Sequence, residues 1–131
     1  MSVMIPPACP ARVEETLLPL LRGNHPDIAF GTIRARDNPA QECVLAGEPQ
    51  GMATPVSQYV RLRLSVIARR EDGTGDFAKA QDLAADIIHA ITAGGLPFPI
   101  VSAAPSSGPM RQADGPLIFA YAILLLQVST T

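Results

Sequence analysis

The sequence predicts an α+β domain, with a mainly antiparallel sheet of four to five strands packed against two helices. Three observations carry that prediction. Val60, Leu62, Leu64, Val66 and Ala68 alternate with Arg61, Arg63, Ser65, Ile67 and Arg69, the period of a half-buried strand. Phe77, Ala80, Ala84, Ile87, Ile88 and Ile91 recur at helical spacing, with Lys79, Asp82, Asp86 and His89 on another side. The last two strand segments then follow each other as a hairpin pair, so helices and strands do not alternate as they do in a doubly wound fold. The expected order is α-β-(β)-β-α-β-β.

The first helix is expected over residues 10–23. Pro10 suits a first helical position, and Glu14 and Glu15 suit the positive end of the helix dipole. Val13, Leu17, Leu20 and Leu21 supply its apolar stripe. Pro19 interrupts it, because a proline inside a helix removes one hydrogen bond and clashes with the preceding turn. A kink near Leu18, or a short helix followed by a turn, is the expectation. A strand over Asp27–Arg36 follows, then a turn at Asp37-Asn38-Pro39. A short strand is expected over Glu42–Ala46, and the Gly- and Pro-bearing residues 47–55 read as a loop. The alternating strand runs from Ser57 to Arg70, and Asp76 is placed to N-cap the second helix, which Gly94-Gly95 ends.

Phe98–Ala104 reads as an edge or irregular strand because Pro97 and Pro99 flank its start. Residues 105–116, rich in Ser, Gly and Pro, read as a second loop. The final strand, Leu117–Ser129, is apolar on both faces, whereas an antiparallel strand with one wet face should alternate. Two arrangements satisfy it: a helix covers each face, or one face meets another chain.

The 131 residues are expected to form a single domain, with residues 1–9 a flexible N-terminus. Hydrophobic residues make up 47% and charged residues 17%, a globular balance. The net charge of −2 offers no basic field to hold nucleic acid, and the absence of Trp argues against a base-stacking platform. The longest apolar run, Leu117–Leu126, is about half of the ~20 residues a membrane-spanning helix needs. The first residues, without a basic region or a long apolar core, do not read as a secretory leader.

Reactive groups are sparse. Cys9 and Cys43 lack a C-x-x-C spacing and read as free thiols. His25 and His89 show no metal-ligand spacing, and Asp82 and Asp86, one helical turn apart, read as a solvated pair. Nucleotide-binding glycine loops and a nucleophile elbow are absent. No catalytic, cofactor-binding or metal-binding residue is therefore expected, and no enzyme. Arg61, Arg63 and Arg69 share one strand face, which reads as a solvated row whose stems cover apolar surface, as an ion-pair row between subunits, or as a face near a polyanion.

Residues 59–70, the helix Phe77–Ile91, the segment Ser107–Asp114 and the final strand Leu117–Val128 together resemble the tail terminator, or minor tail protein U-like, proteins of long-tailed bacteriophages. The likeness is one of pattern and order, spans about three-quarters of the chain, and contains no chemical motif. It implies a non-enzymatic virion protein that forms a ring, typically hexameric, on the last ring of the tail tube. Such a ring stops tube growth and presents a surface to the head connector, while double-stranded DNA passes through its lumen without specific binding. It would locate the protein in the virion tail, and in the host cytoplasm during assembly. The expected interface residues are Arg61 and Arg63 on the strand, Gly108, Met110, Arg111 and Asp114, and the 47–55 loop. Another head–tail joining component and a small ligand-binding α+β dimer are the competing readings.

Overall fold

A computed structural model describes residues 13–54, 57–115 and 117–129. Its elements are α1 (Val13–Asn24), β1 (Ala29–Gly31), β2 (Gln41–Thr54), β3 (Ser57–Ala68), α2 (Phe77–Thr92), β4 (Ile100–Asp114) and β5 (Leu117–Ser129). The expected α+β class and element order are both present. The five strands form one sheet in the order β1-β2-β3-β5-β4, with β1 parallel to β2 and every other neighbour antiparallel.

Both helices lie on the same face of the sheet. α1 packs over β1 and β2, and α2 over β3, β5 and β4. Val13, Leu17 and Leu21 of α1 and Ala80, Ala84, Ile87 and Ile91 of α2 meet Val60, Leu62, Leu64, Val66, Leu124, Leu126 and Val128 in one buried core. Each sheet residue in that set sits at an even position of β3 or β5, as a period of two requires. The sequence left open whether helices cover both sides of β5; the helices of the described residues cover one.

The remaining differences have local causes. α1 runs unbroken through Pro19, which is exposed, while the buried stripe holds the helix on the sheet from the other side. The start expected at Pro10, and the N-terminus of residues 1–9 with Cys9, lie outside the described residues. β1 is only three residues long, because residues 32–40 leave the sheet as the connection to β2. Parallel neighbours cannot be joined by a tight hairpin, so this connection must travel back across a face.

The loop expected over residues 47–55 is instead the second half of β2, paired with β3 as far as Thr54↔Ser57. Register shifts between Pro49 and Gly51 and between Met52 and Thr54 absorb the turn-forming residues. Beyond Val44, no strand among the described residues pairs with the outer side of β2. There Gly47 N–H donates to Glu14 Oε2 at 3.0 Å. Two residues on, the N–H that Pro49 lacks would point the same way, so the proline breaks no ladder bond. Gly47 also lies under α1, where an added Cβ would come within 2.9 Å of Val13 Cγ2.

Residues 105–114 of the expected 105–116 loop are likewise the greater part of β4, an edge strand that keeps Pro105 and Pro109 by three register shifts. Edge strands tolerate both devices, and both discourage pairing with stray strands. α2 begins at its expected cap: Asp76 accepts from the Lys79 backbone N–H at 3.2 Å.

Candidate functional site

The face of the sheet opposite the helices is the candidate site. Residues directly paired across strands point to the same side, so the register defines its surface. Arg61 pairs with Leu125 and Arg63 with Ile123, while Tyr121 lies between Ser65 and Met110. On β2, Glu48 pairs with Arg61 and Ala46 with Arg63. Leu125 is 37% exposed, Met110 40% and Tyr59 40%. Phe119, Tyr121 and Ile123 are half-buried, and no helix among the described residues lies above them. The centre of this face is thus an uncharged, largely apolar row along β5, bordered by two arginines and one glutamate.

Arg63 is tied within the chain, its Nη2 lying 2.9 Å from Glu48 Oε2. Both side chains are more than a third exposed, so the pair sits in solvent and contributes at most about 1 kcal/mol. Arg61 makes no side-chain hydrogen bond or ion pair with a described residue.

One end of this face is closed. The 32–40 connection passes over it, and beneath lie Glu42, Ile67 and Leu117, which are buried although they point to the open side. Arg69 and Glu42 pair there at 3.1 Å, with side chains only 7% and 2% exposed. Arg69 Nη1 also donates to the Pro39 carbonyl at 2.7 Å, and Glu42 Oε2 accepts from the Ala35 backbone N–H. The pair therefore bolts the connection to the sheet. Arg69 keeps the face parity of Arg61 and Arg63 but is not part of a solvated row, because the connection covers it. Nothing in the spacing of Glu42 and Arg69 signals their meeting, which depends on the register of β2 with β3.

The structure brings together only some of the expected interface residues. Arg61, Arg63 and Met110 share the open face. Arg111 pairs with Ala120 and therefore points to the helix side, at the exposed margin of the sheet. Asp114 lies at the far end of the β4–β5 hairpin, where Arg34 of the connection pairs with it at 2.5 Å. Gly108 sits in the register shift between Ser107 and Met110, exposed and with open space around it. Glu48, Tyr121, Ile123 and Leu125 belong to the site as well. The signal for the last three was the double-sided apolarity of β5.

The reactive groups are dispersed. Cys43 is fully buried, and desolvation, reinforced by the neighbouring Glu42 charge, pushes its thiol far above the ordinary range. His25 stacks at a tilt near Phe30, with ring centroids 6.2 Å apart, whereas His89 is exposed on α2. Among the described residues no group of three or more His, Cys, Asp or Glu side chains is placed to hold a metal ion. No helix among them is long and apolar enough to cross a membrane. No family model matches the chain, and no curated protein matches it closely enough to count as a relative.

Proposed function

We propose that this chain is a structural assembly protein that acts by self-association, as a ring-forming cap of a phage tail tube and the joint to the head connector. The observation that carries the reading is the sheet face its own helices leave uncovered. A strand apolar on both sides, with a helix of the described residues on one side only, leaves an apolar row for another chain to bury. The likeness of the β3-α2-β4-β5 order to tail terminators supplies the tail and its partners: a tail-tube protein, a connector and a copy of itself. The net charge of −2 suits a lumen through which DNA slides without sticking. On this reading the protein works by shape and contact and turns over no substrate.

Analytical ultracentrifugation across a range of concentrations tests the association. A hexamer-sized species is expected. A chain that stays at its monomer mass of 13.8 kDa throughout overturns the reading. Electron microscopy of tubes formed by a tail-tube protein tests the rest: the ring should sit at one tube end and stop elongation, and tubes that lengthen unchecked in its presence would count against a terminator.

A further inference from the structure

We propose that the outer face of α2 in one copy docks on the open sheet face of the next, with Asp82 and Asp86 meeting Arg61 and Arg63. The proposal rests on the self-association reading and names the two surfaces that perform it. The core-facing side of α2 is filled by Ala80, Ala84, Ile87 and Ile91, while Ala78, Asp82, Ala85, Asp86 and His89 are all exposed. At 100° per residue these five fall on one side of the helix. That side joins small residues to two carboxylates, neither of which pairs with a described residue. Two like charges one turn apart repel each other mildly in an isolated helix, and an opposing pair of cations removes that repulsion.

The sheet face supplies such a pair. Arg61 and Arg63 are alternate residues of β3, about 7 Å apart along the strand. Asp82 and Asp86 are about 6 Å apart along the helix. The two spacings match, so both arginines can engage both aspartates at once. Arg61 has no partner among the described residues, and Arg63 shares only part of its five-donor fork with Glu48. Beside the arginines run Ile123 and Leu125. Ala78 and Ala85 keep the approaching helix low enough to cover them. Lys79, the one cation on the exposed side of α2, stands next to this contact at its margin.

Such a contact is heterologous, because a helix face meets a sheet face. Contacts of this type close into rings when the rotation per subunit divides the circle. A face-to-face dimer through the sheet alone would ignore α2 entirely, which separates the two arrangements.

Charge reversal tests it by sedimentation of the full chain. One variant carries Arg61→Asp with Arg63→Asp, the other Asp82→Arg with Asp86→Arg, all at exposed or half-exposed positions. Each alone places like charges in every contact, and association should weaken at least about tenfold. Mixed in equal amounts, the two should recover wild-type-sized assemblies, because alternating copies make every contact complementary. Wild-type-strength association by the α2 variant, or failure of the mixture to recover, overturns the α2–sheet contact while leaving self-association standing. A wild-type chain that never associates overturns both.

Discussion

The two sides of β5 carry the same kind of residues and have opposite fates. Ala120, Ala122, Leu124, Leu126 and Val128 are fully buried under α2 and its neighbours. Phe119, Tyr121, Ile123 and Leu125, of equal or greater bulk, remain partly in water. Hydrophobicity therefore does not decide which side of this strand is core; the route of the chain does. The turn after β3 carries the chain over the even-numbered side, and α2 settles there. Among the described residues, the only segment crossing the other side is the 32–40 connection, which covers one end and stops. A side chain apolar enough for a core but left without a lid is the physical basis for assigning that face to association.

The largest effect should come from blocking the crossing itself. A Cβ on Gly75 would lie 2.1 Å from the Ile118 carbonyl oxygen and 2.6 Å from its nitrogen, both backbone atoms that cannot swing away. The chain reaches the N-terminus of α2 by passing this close to the first residues of β5. Gly75→Ala should cost about 4 kcal/mol or more, the range of severe backbone and packing lesions, read as a lowered denaturation midpoint. A variant within about 1 kcal/mol of wild type would mean that α2 can cover the even side by another path.

Next comes the end of the open side that the 32–40 connection closes. Arg69→Met leaves the Glu42 carboxylate buried without its cation, and breaking a buried pair in this way costs about 3–5 kcal/mol. Replacing both partners, as in Glu42→Leu with Arg69→Met, should recover much of that loss. Chemical denaturation measures both. Limited proteolysis should report cleavage within residues 32–40 for the single variant, since its bolt is gone. Equal stability of the single and double variants would show that the pair does not hold the connection down.

The direct comparison of the two faces is a pair of neighbours. Leu124→Ala removes a fully buried side chain and should cost about 3 kcal/mol. Leu125→Ala, at a position 37% exposed, should cost under about 1 kcal/mol of monomer stability and instead weaken association. If both variants unfold alike, the open face is core in a way its exposure does not reveal. If Leu125→Ala leaves sedimentation unchanged, β5 is not where copies meet.

What was legible in the residues follows the same division. Periodicity located β3, α2 and β5 closely, because burial on one side writes a period into the sequence. It failed for the second half of β2 and for most of β4, where Pro49, Gly51, Pro105 and Pro109 mimic loop composition. Both stretches border free edges of the sheet, where a missing N–H or an extra residue is tolerated, so their strand character comes from the pairing partner and not from local propensity. The candidate face was half visible: the apolarity of β5 raised the question of a second cover, but only the position of both helices answered it. The burial of Arg69 was invisible, because it depends on a connection whose path across the sheet no local pattern records.

The smallest effect concerns the turn that chooses the covered side. Asp72 Oδ1 accepts from the Thr74 hydroxyl at 2.7 Å and from the Thr74 backbone N–H at 3.0 Å. These bonds, the hydroxyl first, hold the Asp72 carboxyl below the ordinary aspartate value, with Arg70 adding a weaker pull. A carboxyl whose pKa is lowered on folding stabilises the fold above its unfolded pKa of about 4, and that stabilisation is lost as pH falls through the folded value. Stability should therefore decline with acidification partly through this turn, although the group is fully exposed and the effect modest. Thr74→Val removes the hydroxyl donor and keeps the backbone one, so NMR titration should show the Asp72 pKa rising part of the way toward its ordinary value. An unmoved pKa would assign the depression to Arg70 or the backbone bond. The turn that sends α2 to the even side of β5 would then owe its shape to Gly73, at φ +85°, more than to the Asp72–Thr74 contact.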